Sequence, residues 1–244
     1  MIDQHTIALV TGADRGLGAM FVEMLIARGA RKVYAATRKP VDATARNDSR
    51  IVPITLDVTK PQDVQRAAEV AGDVTLLINN AGVNTQTGPL DAAQPEHARA
   101  EMEVNYFGTI AMANAFAPRL IAARGAMVNV LSVLARATLP AMTTLCASKA
   151  AGLRLTEGLD AELAPQGVRV YAVMPGAIDT DMSRDYPGDK LTTREVVDAT
   201  LDAIGGAARE IYIGAMAERI SATLSSDRAA LHAQLLGAAQ AQPH

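Results

Sequence analysis

Residues 11 to 18 read Thr-Gly-Ala-Asp-Arg-Gly-Leu-Gly, three glycines spaced G-x-x-x-G-x-G. A short apolar run, Thr6 to Thr11, precedes them and a helical segment, Gly16 to Arg28, follows. Glycines in such a turn permit a tight bend and let the main chain approach a pyrophosphate, whose charge meets the N–H groups at the helix start. Glycine also suits any strand-to-helix turn. Its place in the first such unit points to dinucleotide binding, with Gly12, Asp14, Arg15, Gly16, Leu17 and Gly18 forming the cradle. About twenty residues on, where an Asp or Glu would accept from a ribose 2′-OH, the chain has Thr37-Arg38-Lys39. With no acid to repel a 2′-phosphate, Arg15 and Arg38 could bind one by charge-assisted bonds, although Arg38 and Lys39 also suit a solvated strand end. The residues favour NADP(H) over NAD(H).

These side chains need a frame, and the chain alternates strand and helix signals. Lys32–Thr37, Ile51–Leu56, Val74–Ile78, Ala126–Leu131, Val168–Met174 and Arg209–Gly214 read as strands. They are apolar on both faces, as for strands covered by helices on either side. Between them, Thr59-Lys60-Pro61 opens a helix with Thr59 as N-cap. Pro95 to about Ala123 makes two helices or one bent helix, and Met142–Ala164 another. Thr192-Thr193-Arg194-Glu195 has the capping-box pattern and starts a helix to Ile204. A helical amphipathic tail begins near Ala215, with Ala239–His244 expected to fray. The alternation predicts an α/β fold: a doubly wound, Rossmann-type parallel sheet with helices on both faces, in a single domain spanning 1–244.

With the glycine loop, further motifs fall in a fixed order: Asp57-Val58-Thr59, Asn79-Asn80-Ala81-Gly82, Asn105 in Val104-Asn105-Tyr106-Phe107-Gly108, Ser132, Ala147-Ser148-Lys149-Ala150-Ala151, and Pro175-Gly176-Ala177-Ile178-Asp179-Thr180. The ordered set resembles the short-chain dehydrogenase/reductase superfamily over nearly the whole chain. The resemblance implies that Asp57 bonds the adenine amino group while Val58 flanks the ring. It implies that Asn79, Ala81 and Gly82 line the ribose, and that Pro175, Gly176, Ile178 and Thr180 hold the nicotinamide. Residues 181–191 would be the loop over the substrate. Val83, Val133, Leu134, Leu139, Leu145, Met182 and Tyr186 would face the substrate, which suggests a hydrophobic ketone or secondary alcohol. Arg136 and Arg184 lie near the expected pocket.

Such enzymes use a Tyr four residues before the Lys as general acid. The Lys lowers the phenol pKa and holds the ribose, a Ser polarises the carbonyl, and an Asn anchors a relay water. Ser132, Lys149 and Asn105 are present, but the tyrosine position is Leu145, which cannot donate a proton. The alternative Tyr-x6-Lys spacing falls on Met142. Cys146 should point about 100° away on the helix, and Tyr186 is the one tyrosine placed to substitute. Three readings stand: a carbonyl reductase altered at one position, an enzyme whose reaction needs no phenolic acid, or a non-catalytic cofactor-binding protein.

Composition closes other classes. With 23 Lys+Arg against 26 Asp+Glu, the net charge of −3 gives no basic excess for nucleic acid. The single cysteine excludes an intramolecular disulfide. No secretory signal or membrane-length apolar run is visible, so a cytoplasmic location is expected. The four histidines (His5, His97, His232, His244) are scattered without ligand spacing and read as surface or terminal residues, so no metal is expected. Asn105–Ala123 and Cys146–Ala164 carry small residues along one side, which would also suit close packing on their own sheet; the resemblance implies that these helices pair across two-fold axes into a homodimer or homotetramer.

Overall fold

Four apolar residues and a threonine, Ile7–Thr11, form β1, buried at every position because strands flank it on both sides. The computed structural model of the chain describes residues 2–39, 48–91 and 94–227; the expected fraying of Ala239–His244, His232 and His244 lie outside them. The other strands are β2 Lys32–Thr37, β3 Ile51–Thr55, β4 Leu76–Asn79, β5 Ala126–Val130, β6 Arg169–Pro175 and β7 Glu210–Ile213. All pair in parallel in the order β3-β2-β1-β4-β5-β6-β7. The doubly wound α/β expectation holds. Strand order reverses between β1 and β4, where open α/β sheets form a ligand crevice beyond the strands' carboxyl ends.

Helices α1 (Gly16–Ala27) and α6 (Thr193–Ala203) cover one face through Phe21, Val22, Leu25, Val196, Val197 and Leu201. On the other face, α2 (Pro61–Val70) and α4 (Gly108–Ala123) pack Val64, Ala67, Met112, Phe116 and Leu120. Helix α5 (Thr143–Leu163) lies beside α4, and α7 (Ala215–Ser226) follows β7. Small residues allow the close spacing: a Cβ on Gly108 would fall 2.7 Å from Val58 Cγ2. No helix among the described residues is long and apolar enough to cross a membrane.

Two local expectations need correction, at Thr59 and at β3, and a third is resolved between its alternatives. Lys60, not Thr59, is the N-cap of α2. The Thr59 N–H and hydroxyl both donate to Asp57 Oδ1, at 3.0 and 2.7 Å, so that oxygen is committed to a turn while Pro61 sets the helix start. Strand β3 is only half covered, since it is an edge strand. The Pro95–Ala123 segment is a bent helix: α3 (Gln94–Met102) runs through a π-turn at Glu103–Phe107 into α4. The 181–191 segment is tied at its base, where Asp179 N–H donates to Leu191 O and Leu191 N–H to Ala177 O, both at 2.8 Å.

The capping box forms as expected: Thr192 Oγ1 accepts the Glu195 N–H, and the Glu195 carboxylate accepts the Thr192 N–H. Replacing Thr192 by Ala should therefore cost about 1 kcal/mol in urea denaturation, with an unchanged m-value.

Candidate active site

The site begins where the loops after β1 and β4 cross. Thr11 is buried, and its Oγ1 accepts the N–H groups of Asn80 and Ala81 at 3.0 and 2.9 Å. The Asn80 amide returns bonds to Thr11 O and Gly12 O, at 2.9 and 3.2 Å. Gly12 turns with φ +65°, and a Cβ on Gly18 would lie 2.0 Å from Gly12 O, so no other residue fits at 18. Arg15, at the N-cap of α1, supplies no capping oxygen, and the first turn carries no acid. The N–H groups and positive dipole end of α1 therefore suit an anion.

Around this loop the expected residues divide. Thr180 adjoins the loop, its Cγ2 3.4 Å from where a Cβ on Gly16 would sit. Arg38 is exposed just past β2, whereas Thr37 is buried and donates to Lys39 O at 2.6 Å. Arg15 pairs with Asp181 at 2.5 Å, and Arg184 pairs with the same carboxylate at 2.7 Å. These two arginines hold the Asp181 carboxyl below its usual range. Arg136 pairs with Glu210 and Glu157. Asp57 and Val58 follow β3, Val58 buried under α4. Pro175 ends β6, Gly176 packs beside Met216, and Ile178 bridges to Leu191.

The opposite wall is built by the π-turn, which aims Asn105 at the segment after β4. Asn105 Nδ2 donates to Val83 O and to Ser148 Oγ, both at 3.0 Å, and its Oδ1 accepts the Val83 N–H at 2.9 Å. Lys149 reaches across from α5, donating to Val130 O at 3.0 Å. A Cβ on Gly82 would lie 3.2 Å from Asn105 Oδ1 and 3.6 Å from Lys149 Nζ, so the glycine keeps both groups close to the main chain. Burial lowers the Lys149 ammonium to about 8, against the opposing charge of Glu101. Ser132 Oγ accepts the Leu134 N–H at 3.1 Å and thus keeps its own hydrogen to donate.

Leu145 is buried at 5% exposure in the same helix turn as Lys149. Cys146 lies against Leu139, and burial pushes its thiol up, away from the reactive thiolate. Leu134, Leu139 and Val83 are half-buried and Met182 is exposed. Tyr186 folds over its own loop, its ring 2.7 Å from where a Cβ on Gly188 would lie. Two expected lining residues turn away. Val133 packs with Ala137, Ala217 and Ile220, and Asn79 is buried, donating to Asn129 Oδ1 at 2.9 Å. Successive strand residues face opposite sides, so Asn80 rather than Asn79 meets the glycine loop.

Sequence reasoning also missed a row of polar contacts. His97, Glu101 and Asn105 recur every four residues along α3 and the π-turn, and meet Thr87, Thr85 and Val83 respectively. Four helical residues rise about 6 Å and two extended residues about 6.6 Å, so the two periods stay in register. His97, expected at the surface, is half-buried with Nδ1 2.7 Å from Thr87 Oγ1. The four-residue spacing was visible in the sequence; the loop that answers it has no pattern of its own.

Two outcomes follow. Thr11→Val leaves the Asn80 and Ala81 N–H groups without their acceptor and should cost about 2–4 kcal/mol in denaturant unfolding. Lys149 binds its proton less tightly folded (about 8) than unfolded (10.5). Between those values the unfolded chain holds the extra proton, so this group's contribution to stability improves as pH rises. Lys149→Met removes the buried charge, and its stability advantage over the unsubstituted chain should shrink across that pH window.

Comparison with known proteins agrees with this architecture. The family model described as short chain dehydrogenase matches residues 6–190. A short-chain dehydrogenase from Penicillium crustosum is 40% identical over 180 residues, covering 70% of this chain and 65% of that protein, so the match spans just under two thirds of the relative. The crystal structure of a short chain dehydrogenase from Burkholderia cenocepacia in complex with NADP is 56% identical, with a TM-score of 0.91, covering 97% of this chain and 99% of that one. A 3-ketoacyl-(acyl-carrier-protein) reductase from Brucella melitensis, complexed with NADH, is 25% identical with a TM-score of 0.78, covering 87% of this chain and 97% of that one. With the crossed loops, the seven-stranded sheet and the family match in agreement, this chain belongs to the short-chain dehydrogenase family of oxidoreductases.

Proposed function

We propose that this chain binds NADP(H) and interconverts a hydrophobic ketone and a secondary alcohol, with proton delivery impaired by Leu145. The observation that carries the proposal is the placing of Lys149 Nζ and Asn105 Oδ1 over Gly82, beyond the carboxyl ends of β4 and β5. The glycine cradle of Gly12, Gly16, Leu17 and Gly18 with the uncapped start of α1 suits the pyrophosphate. Thr37, Arg38 and Arg15 would meet a 2′-phosphate, Arg15 by exchanging its pairing with Asp181. Asp14 flanks that loop, Asp57 and Val58 are offered to the adenine, Ala81, Gly82 and Lys149 to the ribose, and Pro175, Gly176, Ile178 and Thr180 to the nicotinamide. The complex of the Burkholderia cenocepacia relative with NADP supports the phosphorylated form.

When bound, the reduced nicotinamide supplies a hydride to the carbonyl carbon. The chain's own residues handle the oxygen. The Ser132 hydroxyl polarises the carbonyl, Asn105 fixes the segment after β4, and the Lys149 ammonium stabilises negative charge developing on the oxygen. Leu145 offers no hydrogen there, and an absent general acid typically costs about 10²–10⁴ in rate. Val83, Leu134, Leu139, Met182 and Tyr186 would bound the apolar substrate under the 181–191 loop. The faces of α4 and α5, with the π-turn before α4 where Phe107 is half exposed, would pair copies into a homodimer or homotetramer.

The burial of Leu145 also favours a second reading, a cofactor-binding protein without turnover. A ketone panel assayed with NADPH on the unsubstituted chain and on Leu145→Tyr separates the two. The reductase reading expects a gain of roughly 10²-fold or more in the Tyr form. A chain inert in both forms is a cofactor-binding protein, and one that is fast as it stands and slowed by Tyr uses a reaction needing no phenol.

A further inference from the structure

Asp181 opens the 181–191 segment and divides its carboxylate between two arginines of different origin. Its Oδ1 accepts from Arg184, on the same segment, at 2.7 Å, while Oδ2 accepts from Arg15, 166 residues earlier in the glycine loop, at 2.5 Å. Thr180 sets this meeting: its Cγ2 lies 3.4 Å from where a Cβ on Gly16 would sit, so the next residue cannot be far from that loop. One residue further, the Met182 carbonyl accepts from Gln86 Nε2 at 3.4 Å. Gln86 belongs to the segment after β4 and has φ +52°, a left-handed conformation that residues other than glycine rarely adopt, with its N–H donating to Asn84 Oδ1 at 2.9 Å. Asp181 and Met182 thus tie together the two loops that flank the crevice, the one after β1 and the one after β4. Arg15 is also the side chain offered to a 2′-phosphate. Its guanidinium has donors to spare, but a phosphate drawn to it meets the Asp181 carboxylate as a like charge, so the two anions compete.

We propose that Asp181 is a cofactor-specificity residue: it competes with the 2′-phosphate for Arg15, and capture of Arg15 by the phosphate frees the first residues of the 181–191 segment from the glycine loop. This competition rests on the NADP(H) reading of the site. A dinucleotide without the phosphate makes no demand on Arg15 and leaves the tie in place. Both partners are largely exposed, their side chains 69% and 56% accessible, so the pair is of the weak kind that a phosphate can displace. Asp14 gives Arg15 no comparable partner, its carboxylate lying 3.9 Å from Nε. Asp181 keeps its bond to Arg184 once Arg15 leaves, so no carboxylate is stranded. The coupling is reciprocal: whatever the tie subtracts from affinity for the phosphate, the phosphate subtracts from the hold on the segment.

Fluorescence titration of the full chain with NADPH and with NADH tests the competition. Asp181→Asn should tighten NADPH binding by about two- to fivefold more than NADH binding, the range an exposed ion pair supplies. Loss of a negative charge near the dinucleotide acts on both forms alike, so the ratio of the two affinities is the quantity to read. In an Arg15→Ala background the same substitution should leave that ratio unchanged. In the saturated complexes of the unsubstituted chain, amide hydrogen exchange over residues 181–191 should be faster with NADPH than with NADH, and in Arg15→Ala the two should be equal. An unchanged ratio in Asp181→Asn, a gain that persists without Arg15, or equal exchange in both complexes of the unsubstituted chain overturns the proposal and leaves the NADP(H) reading standing. A chain that binds neither dinucleotide overturns that reading and the competition with it.

Discussion

The site depends on one crossing of two loops at the point where the strand order reverses. A single hydroxyl, Thr11 Oγ1, accepts two main-chain N–H groups, and the Asn80 amide closes the crossing from the other side. Buried donors of this kind are costly to leave unpaired, so the loops cannot separate without losing several bonds at once. The glycines follow from the same closeness: main chain and amide already occupy the space a Cβ on Gly18 would need, and Gly12 turns with φ +65° close against Ala81. Through Ala81 and Gly82 the crossing also leads to the segment against which Asn105 and Lys149 are held.

Electrostatics of the site are set by dehydration. The half-buried Lys149 side chain donates to the Val130 carbonyl, and loss of hydration there loosens its proton. A phenol at 145 would give that cation a polar neighbour; a leucine gives it none. The buried negative charge on α3 therefore matters more here than it would beside a tyrosine, because charge interactions strengthen where water is excluded.

Much of this was legible in the sequence, for identifiable reasons. Strands covered on both sides are continuous apolar runs, and the glycine spacing marks the tight turn between β1 and α1. The Thr192 capping box is a local pattern with a local cause, and it formed as read. Thr59 failed because its hydroxyl had a nearer acceptor in Asp57. Asn79 and Val133 failed because a family position says which residue is near a site, not which way its side chain turns. Glu101, Thr85, Thr87 and His97 could not be read as a group, since contacts between a helix and an extended segment have no signature in either stretch alone.

The most direct measurement is the affinity of the unsubstituted chain for NADPH and for NADH, titrated by fluorescence. Charge-assisted bonds to a 2′-phosphate contribute about 1.5–3 kcal/mol, or roughly a tenfold to hundredfold preference. Saturable NADPH binding, tighter than NADH by at least about tenfold, is the expected result. Equal or tighter NADH binding would contradict the assignment of Arg38 and Arg15, and failure to bind either dinucleotide would contradict the account as a whole.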